Sequence, residues 1–278
     1  MAWYQDDAAS TELGDHPRFT VPEPALRRAI RDARAAHLQV LLFPIVRLSR
    51  PRAPDEWRGT LHPADRRKWF AAYVRKLIAL AQLANQEHAE ALSIGSELST
   101  LDGAADHDAW AMLVSEVHAV YRGRLVYSGN WDHFREVGIY DLVDQIGLCG
   151  YFALADRAEA AAHAVPVDDL VRTWRDLRVE LERFAELHGR PILFTEVGYL
   201  SQRGAAAWPW EEGARQPVDL DEQRRCYAAF CRIWRDAAPA HFAGVYFWNW
   251  YGWGGSASRG YTPRGKPAAE EIRGFFTR

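Results

Sequence analysis

The chain has 278 residues, 48% of them apolar and 26% charged, which excludes a disordered chain and provides for a substantial core. A formal net charge of −3 argues against nucleic acid or an anionic membrane as partner. Three cysteines without a C-x-x-C pair (Cys149, Cys226, Cys231) and no apolar run of 18 residues argue against a disulfide framework and a transmembrane helix.

In chain order, Ala2–Gln5 reads as the end of a strand and Asp6 to Pro24 as a loop. Pro24–Ala36 reads as a helix with Pro near its start. Leu38–Val46 is a strongly apolar strand, and Arg47–Leu61 is a loop rich in Pro and Arg. Pro63–Asn85 carries Trp69, Phe70, Tyr73, Leu77, Leu80 and Ala84 at steps of three and four, the stripe of an amphipathic helix. Ala91–Ile94 is a strand ending in Gly95-Ser96-Glu97. Asp108–Tyr121 repeats the helical stripe through Trp110, Leu113, Val117 and Val120. Leu125–Tyr127 is a strand that runs into Ser-Gly-Asn-Trp-Asp at 128–132, and Gln145–Leu148 is another that ends near Tyr151. Val167–Leu187 is a helix. The apolar run Ile192–Phe194, between Gly189/Pro191 and Gly198, is a buried parallel strand with Glu196 at its end. A loop rich in Trp, Pro and Gly spans Ser201–Pro217. Leu220–Ala237 is a helix, Ala243–Trp248 a strand, and Pro267–Phe276 a closing helix.

Strands and helices therefore alternate throughout, the pattern of parallel βαβ units in a single domain over 1–278. Seven strands are read, where a closed (β/α)8 barrel has eight. The barrel reading thus expects the first strand and helix to be missing. The rival, a doubly wound sheet, lacks a G-x-G-x-x-G turn after any early strand.

In a barrel the carboxyl ends of the strands build the active site. Those ends deliver Arg47, Glu97, Asn130 with Trp131, Tyr151, Glu196, and Trp248 with Asn249 and Trp250. A lone carboxylate is costly to bury, so Glu196 should lie at a strand end that opens onto solvent or a cleft. Two carboxylates facing each other are the minimal apparatus of glycoside hydrolysis, one protonated as acid and one ionised. Twelve Trp residues exceed ordinary usage, and indole faces stack on sugar rings as well as pack cores. Trp248 and Trp250 lie two apart and so share a face, read either as core aromatics or, for Trp248, as a sugar contact. Arg47 is read either as a substrate contact or as an ion-pair partner, and Tyr151 as a functional hydroxyl or one bonded to backbone. The Gly-rich stretch 252–260 reads as a sugar-site loop, since its Trp neighbours and the lack of an adjacent Lys fit phosphate poorly. No H-x-H, H-E-x-x-H or G-x-S-x-G occurs, which argues against a zinc hydrolase or an esterase; no metal or cofactor is expected.

The chain resembles glycoside hydrolase family 113, a clan A family whose known members are mainly β-mannanases. The matching stretches are WRG at 57–59, IGSEL at 94–98, NWD at 130–132, FTEVGY at 194–199, the Trp-rich end of the last strand, and YTPRGKPA at 261–268. Their order and spacing run from Trp3 to Ala268. The resemblance implies a retaining β-1,4-mannan or related β-glycan hydrolase with Glu97 as acid/base and Glu196 as nucleophile. The two carboxyl groups would then be about 5–5.5 Å apart. It further implies that Tyr151 hydrogen-bonds the nucleophile, that Trp248 floors the site, and that Asn130, Trp131 and Trp3 line subsites. Ser96 stands where many clan A enzymes have the Asn that binds the sugar 2-hydroxyl; its hydroxyl has a shorter reach.

The family's first strand precedes the segment that Ala2–Asp7 resembles. A barrel without it would leave the strands near Ala2 and Trp248 flanking a gap. The first residues do not read as a signal peptide, which implies a cytoplasmic chain as it stands and an extracellular or periplasmic one if a segment precedes it. The competing function is a non-catalytic carbohydrate-binding barrel descended from such an enzyme.

Overall fold

The computed structural model describes residues 1–213 and 216–277. Positions 214 and 215, within the loop read over Ser201–Pro217, lie outside the described residues. The chain divides into two compact units, Met1–Gly147 and Leu148–Arg278.

In the first unit the strands are β1 (Ala2–Gln5), β2 (Leu41–Leu42), β3 (Ile45–Leu48), β4 (Ala91–Ser96) and β5 (Arg124–Asn130), followed by the start of β6 (Gln145–Cys149). Helices α1 (Glu23–Ala35), α2 (Arg66–Gln86) and α3 (His107–Val120) alternate with them. The strands pair in parallel: β1 with β3, β2 with β4, and β4 with β5. The single strand expected over Leu38–Val46 is instead two segments, interrupted at Phe43-Pro44. Pro44 has no N–H to give a ladder, so the strand breaks there. The two segments serve different neighbours, Leu42 pairing with Leu92 and Val46 with Trp3.

The stripe read on α2 is the buried one: Trp69, Phe70, Tyr73, Leu77 and Leu80 face inward. Asp65 caps this helix by accepting from the Lys68 N–H at 3.0 Å. Buried polar tips are satisfied. The Trp69 indole donates to Gln5 Oε1 at 2.9 Å, and the Tyr73 hydroxyl donates to the Ile94 carbonyl at 2.9 Å. These bonds fix α2 to β1 and β4. Trp110 on α3 joins the cluster edge-on to Phe70, Tyr73 and Tyr127, with centroids 5.6, 6.0 and 5.5 Å away. Trp110→Ala is expected to cost about 3–5 kcal/mol of folding stability, read by denaturant unfolding. A cost under about 1 kcal/mol would show that this cluster does not organise the unit.

The second unit holds the end of β6, then β7 (Ile192–Val197) and β8 (Phe242–Phe247), with α4 (Arg157–Ala162), α5 (Val167–His188), α6 (Leu220–Trp234) and α7 (Ala268–Phe276). β7 and β8 are parallel, and β7 is buried at every position while β8 is mostly half-buried. Helix α5 stops at Gly189, whose φ of 62° is the left-handed C-terminal cap that glycine adopts without strain. Trp174 of α5 packs edge-on to Phe194 of β7 and to Phe230 and Trp234 of α6. Its indole N–H donates to the Tyr199 hydroxyl at 3.0 Å. The short α4 has no counterpart in the sequence reading. Each unit thus presents a buried strand with a carboxylate at its end, Glu97 just after β4 and Glu196 next to last in β7.

Candidate active site

In the first unit, β4 can reach its end only because residue 95 is glycine. A Cβ there would stand 2.8 Å from the Tyr127 ring and 3.0 Å from Trp110. Glu97 follows β4 with φ 51°, a left-handed conformation rare for a non-glycine residue. Such backbone persists when its surroundings hold it, and it clusters at functional sites. Its N–H donates to the Ser128 carbonyl of β5 at 2.8 Å. Glu97 is 4% exposed, and its Oε2 is paired with the Arg58 guanidinium. Arg58 comes from a 3-10 turn, Arg58–Thr60, and its guanidinium lies 5.3 Å from the centroid of the Trp57 ring.

Ser96 is buried, and its Oγ has no hydrogen-bond partner among the described residues. The register places Ser96 opposite Ser128, so the ends of β4 and β5 are neighbours. Asn130 ends β5, half-exposed, with Oδ1 accepting from the Trp131 N–H at 2.9 Å; Trp131 is half-exposed as well. The strand ends thus bring Ser96, Glu97, Asn130 and Trp131 into one part of the unit. Arg47 lies exposed on β3, opposite Tyr4. Trp3 is 2% exposed, packed edge-on to Tyr73 at 5.5 Å.

In the second unit, Glu196 is 5% exposed near the end of β7, and its carbonyl accepts from the Gly150 N–H at 2.7 Å. The Tyr151 hydroxyl donates to Glu196 Oε2 at 2.7 Å. Burial above all, then the Glu196 charge beside it, pushes the Tyr151 phenol well above its usual range. Tyr151 therefore stays a donor, and a donor favours the ionised form of its carboxylate partner.

Trp248 lies just past β8, half-buried, its N–H donating to the Val197 carbonyl at 2.8 Å. The approach is close enough to demand glycine at 198, where a Cβ would meet the Trp248 carbonyl at 2.3 Å. The Trp248–Asn249 peptide is cis. Because β8 stops at Phe247, the two-residue period does not carry Trp248 and Trp250 onto a shared face. Trp248 is half-buried, whereas Trp250 is 57% exposed.

The following loop also exposes Tyr251, and Trp253 at 94%. A cavity of about 510 Å³ opens beside it, lined by Gln202, Glu212, Asn249, Tyr251, Trp253 and Arg259 among others. The loop is fixed by Arg264, whose Nη1 donates to the Gly252 carbonyl at 2.9 Å and whose carbonyl accepts from Gly255 at 2.8 Å. Lys266 anchors the same region from below, donating to Ser201 Oγ at 2.5 Å and to the Gly260 carbonyl at 2.8 Å. Burial lowers its ammonium to about 8. Among the described residues, no group of three or more His, Cys, Asp or Glu side chains is arranged to hold a metal ion.

The family model of Glycoside Hydrolase Family 113 matches residues 1–257. The chain belongs to glycoside hydrolase family 113. It is therefore a glycoside hydrolase, as its sequence motifs led one to expect. Among solved structures, it is similar to the family 113 β-mannanase of Alicyclobacillus acidocaldarius solved in complex with ManMIm. That pair has 27% identity and a TM-score of 0.83, over 99% of this chain and 84% of the other. A family 113 β-1,4-mannanase, also solved as a complex, aligns at 23% identity and TM-score 0.82 over 100% and 86%. A β-glucuronidase from Ruminococcus gnavus shares only the fold, with TM-score 0.57 at 12% identity over 89% and 40%. No curated protein sequence matches the chain. These likenesses and the alternating parallel units establish the (β/α)8 TIM-barrel type of fold.

For this family 113 chain, two residues of weight escaped the sequence reading. Arg58 stands in the sequence only as part of WRG, although it is the cation on Glu97. Trp253 sits in a stretch read as a sugar loop, without being singled out.

Proposed function

We propose that this family 113 enzyme is a retaining hydrolase of β-1,4-mannan or a related β-linked oligo- or polysaccharide. Glu196 is the nucleophile and Glu97 the acid/base. The observation that carries the reading is the Tyr151–Glu196 pair: a buried carboxylate at a strand end, held at 2.7 Å by a hydroxyl that remains protonated. The β-mannanase at 27% identity supports the substrate class.

In the first step the Glu196 carboxylate attacks the anomeric carbon and the glycosidic C–O bond breaks. Glu97 delivers its proton to the departing oxygen, leaving a glycosyl ester on Glu196. In the second step Glu97, now a base, takes a proton from water, and the water oxygen displaces Glu196. Two inversions give net retention. Tyr151 holds the nucleophile. Trp248 supplies an apolar face to the sugar at the cleaved bond, and Ser96, Asn130 and Trp131 bind beside the acid/base. Arg47 and Trp250, both exposed, contact more distant sugar units.

The test is proton NMR of fresh digests of β-1,4-mannan, with other β-glycans as comparison. Mannan is expected to be cleaved fastest, with the β-anomer of the new reducing end appearing first and mutarotating later. An initial α-anomer would mean inversion. Binding of mannan without hydrolysis of any β-glycan would establish the non-catalytic alternative.

A further inference from the structure

We infer that Tyr127, Asp102 and His133 form a positioning network that sets the acid/base carboxylate Glu97. The inference rests on the acid/base reading of Glu97 given above. It begins with the backbone of Glu97, whose left-handed φ of 51° must be held in place by its neighbours. Two consecutive N–H groups do this. Glu97 donates to the Ser128 carbonyl at 2.8 Å, and Leu98 donates to the Tyr127 hydroxyl oxygen at 3.1 Å. The first is an ordinary strand contact. The second is made by a side chain, so it is adjustable by mutation without touching the strand.

The Tyr127 hydroxyl in turn donates to Asp102 Oδ2 at 2.6 Å. Asp102 is fully buried, and its Oδ1 lies 3.0 Å from His133 Nε2, which donates when it carries the proton. The Asp102 carbonyl accepts from the Gly138 N–H at 2.8 Å. The network therefore joins three segments: the turn that follows Glu97, strand β5, and the loop three residues beyond Asn130. His133 Nδ1 lies 3.9 Å from Glu136, so its outer side faces a second carboxylate.

Packing alone does not explain this arrangement. A phenylalanine would fill the ring position against Gly95 equally well, and an apolar residue at 102 would avoid burying a carboxylate. Burial does work against Asp102, raising its carboxyl above the usual range despite the two hydrogen bonds. What the polar pair adds is direction. The Tyr127 O–H is committed to Asp102 as donor, so the Tyr127 oxygen must present a lone pair to the Leu98 N–H. That fixes the peptide immediately after Glu97, and with it the direction in which the carboxyl group leaves the chain. Tyr127, Asp102 and His133 are thus positioning residues, while Glu97 touches the substrate.

The experiment compares Tyr127→Phe with Glu97→Ala on two substrates, a β-1,4-mannooligosaccharide and a dinitrophenyl β-mannoside. The oligosaccharide's leaving group needs a proton; the dinitrophenolate does not. Tyr127→Phe is expected to lower kcat/KM on the oligosaccharide by about tenfold to a hundredfold and to leave the aryl substrate nearly unchanged. A merely structural loss of folded enzyme lowers both equally. If Glu97→Ala shows the selectivity and Tyr127→Phe loses both activities equally, or neither, the network inference is overturned while the acid/base reading stands. If Glu97→Ala itself shows no selectivity, the acid/base reading fails first. Should Tyr127→Phe not fold, His133→Gln acts at the partly exposed end of the same network. It is expected to show the same selectivity to a smaller degree, and equal losses or none would overturn the inference.

Discussion

Glu196→Gln is expected to abolish turnover on activated and unactivated substrates alike, lowering kcat on the order of 10⁴-fold or more. The amide is isosteric with the carboxylate and offers the Tyr151 hydroxyl an oxygen at the same place, so the 2.7 Å hydrogen bond survives. What is lost is the nucleophile: a neutral amide oxygen does not form the glycosyl ester. Because a buried charge is being removed, folding stability should hold or rise slightly. Thermal unfolding together with kinetics checks both halves. A variant that retains activity within tenfold on the aryl substrate would show that Glu196 does not attack the sugar, and the retaining mechanism would go with it.

How this architecture could be read from the chain follows from where its signals are local. Strand β7 is legible because an apolar run is bounded by Gly189, Pro191 and Gly198, and the glycine after the strand is required by the Trp248 carbonyl. Strand β4 and helix α2 are legible for the same kind of reason, a run in one case and a 3.6-residue stripe in the other. Glu97 and Glu196 could be found because each stands in sequence directly where its strand ends. The partner of Glu97 could not. Arg58 lies 39 residues away, and no period or spacing announces an ion pair across that distance. The same holds for Tyr127 and Asp102, 25 residues apart. The break at Pro44 was legible in principle, since a proline cannot donate to a ladder, but the apolar run on both sides masked it. The shared face expected for Trp248 and Trp250 fails for a simpler reason: β8 ends at Phe247, so the alternation rule has no strand to act on at Trp250, three residues further on.

Glu97→Ala is the variant that separates the two chemical roles of one carboxylate, and its expected signature has three parts. On mannooligosaccharides, kcat/KM should fall by about 10²–10⁴-fold, the usual contribution of a positioned general acid. On a dinitrophenyl glycoside, kcat/KM should change little, because that leaving group departs without a proton. Its kcat should nevertheless fall, since hydrolysis of the glycosyl ester on Glu196 lacks the base that activates water. Sodium azide supplies a nucleophile that needs no base. It is small enough to enter the space vacated by the Glu97 carboxylate, beside the Arg58 guanidinium that pairs with that carboxylate. Azide should therefore raise kcat on the aryl substrate and yield a β-glycosyl azide, the configuration set by two successive inversions. For Glu196→Ala, azide attacks in place of the missing nucleophile and gives the α-glycosyl azide. An exchange of these two products between the variants would reverse the assignment of the carboxylates. A uniform loss of both substrates in Glu97→Ala, with no azide product, would remove Glu97 from the chemistry altogether.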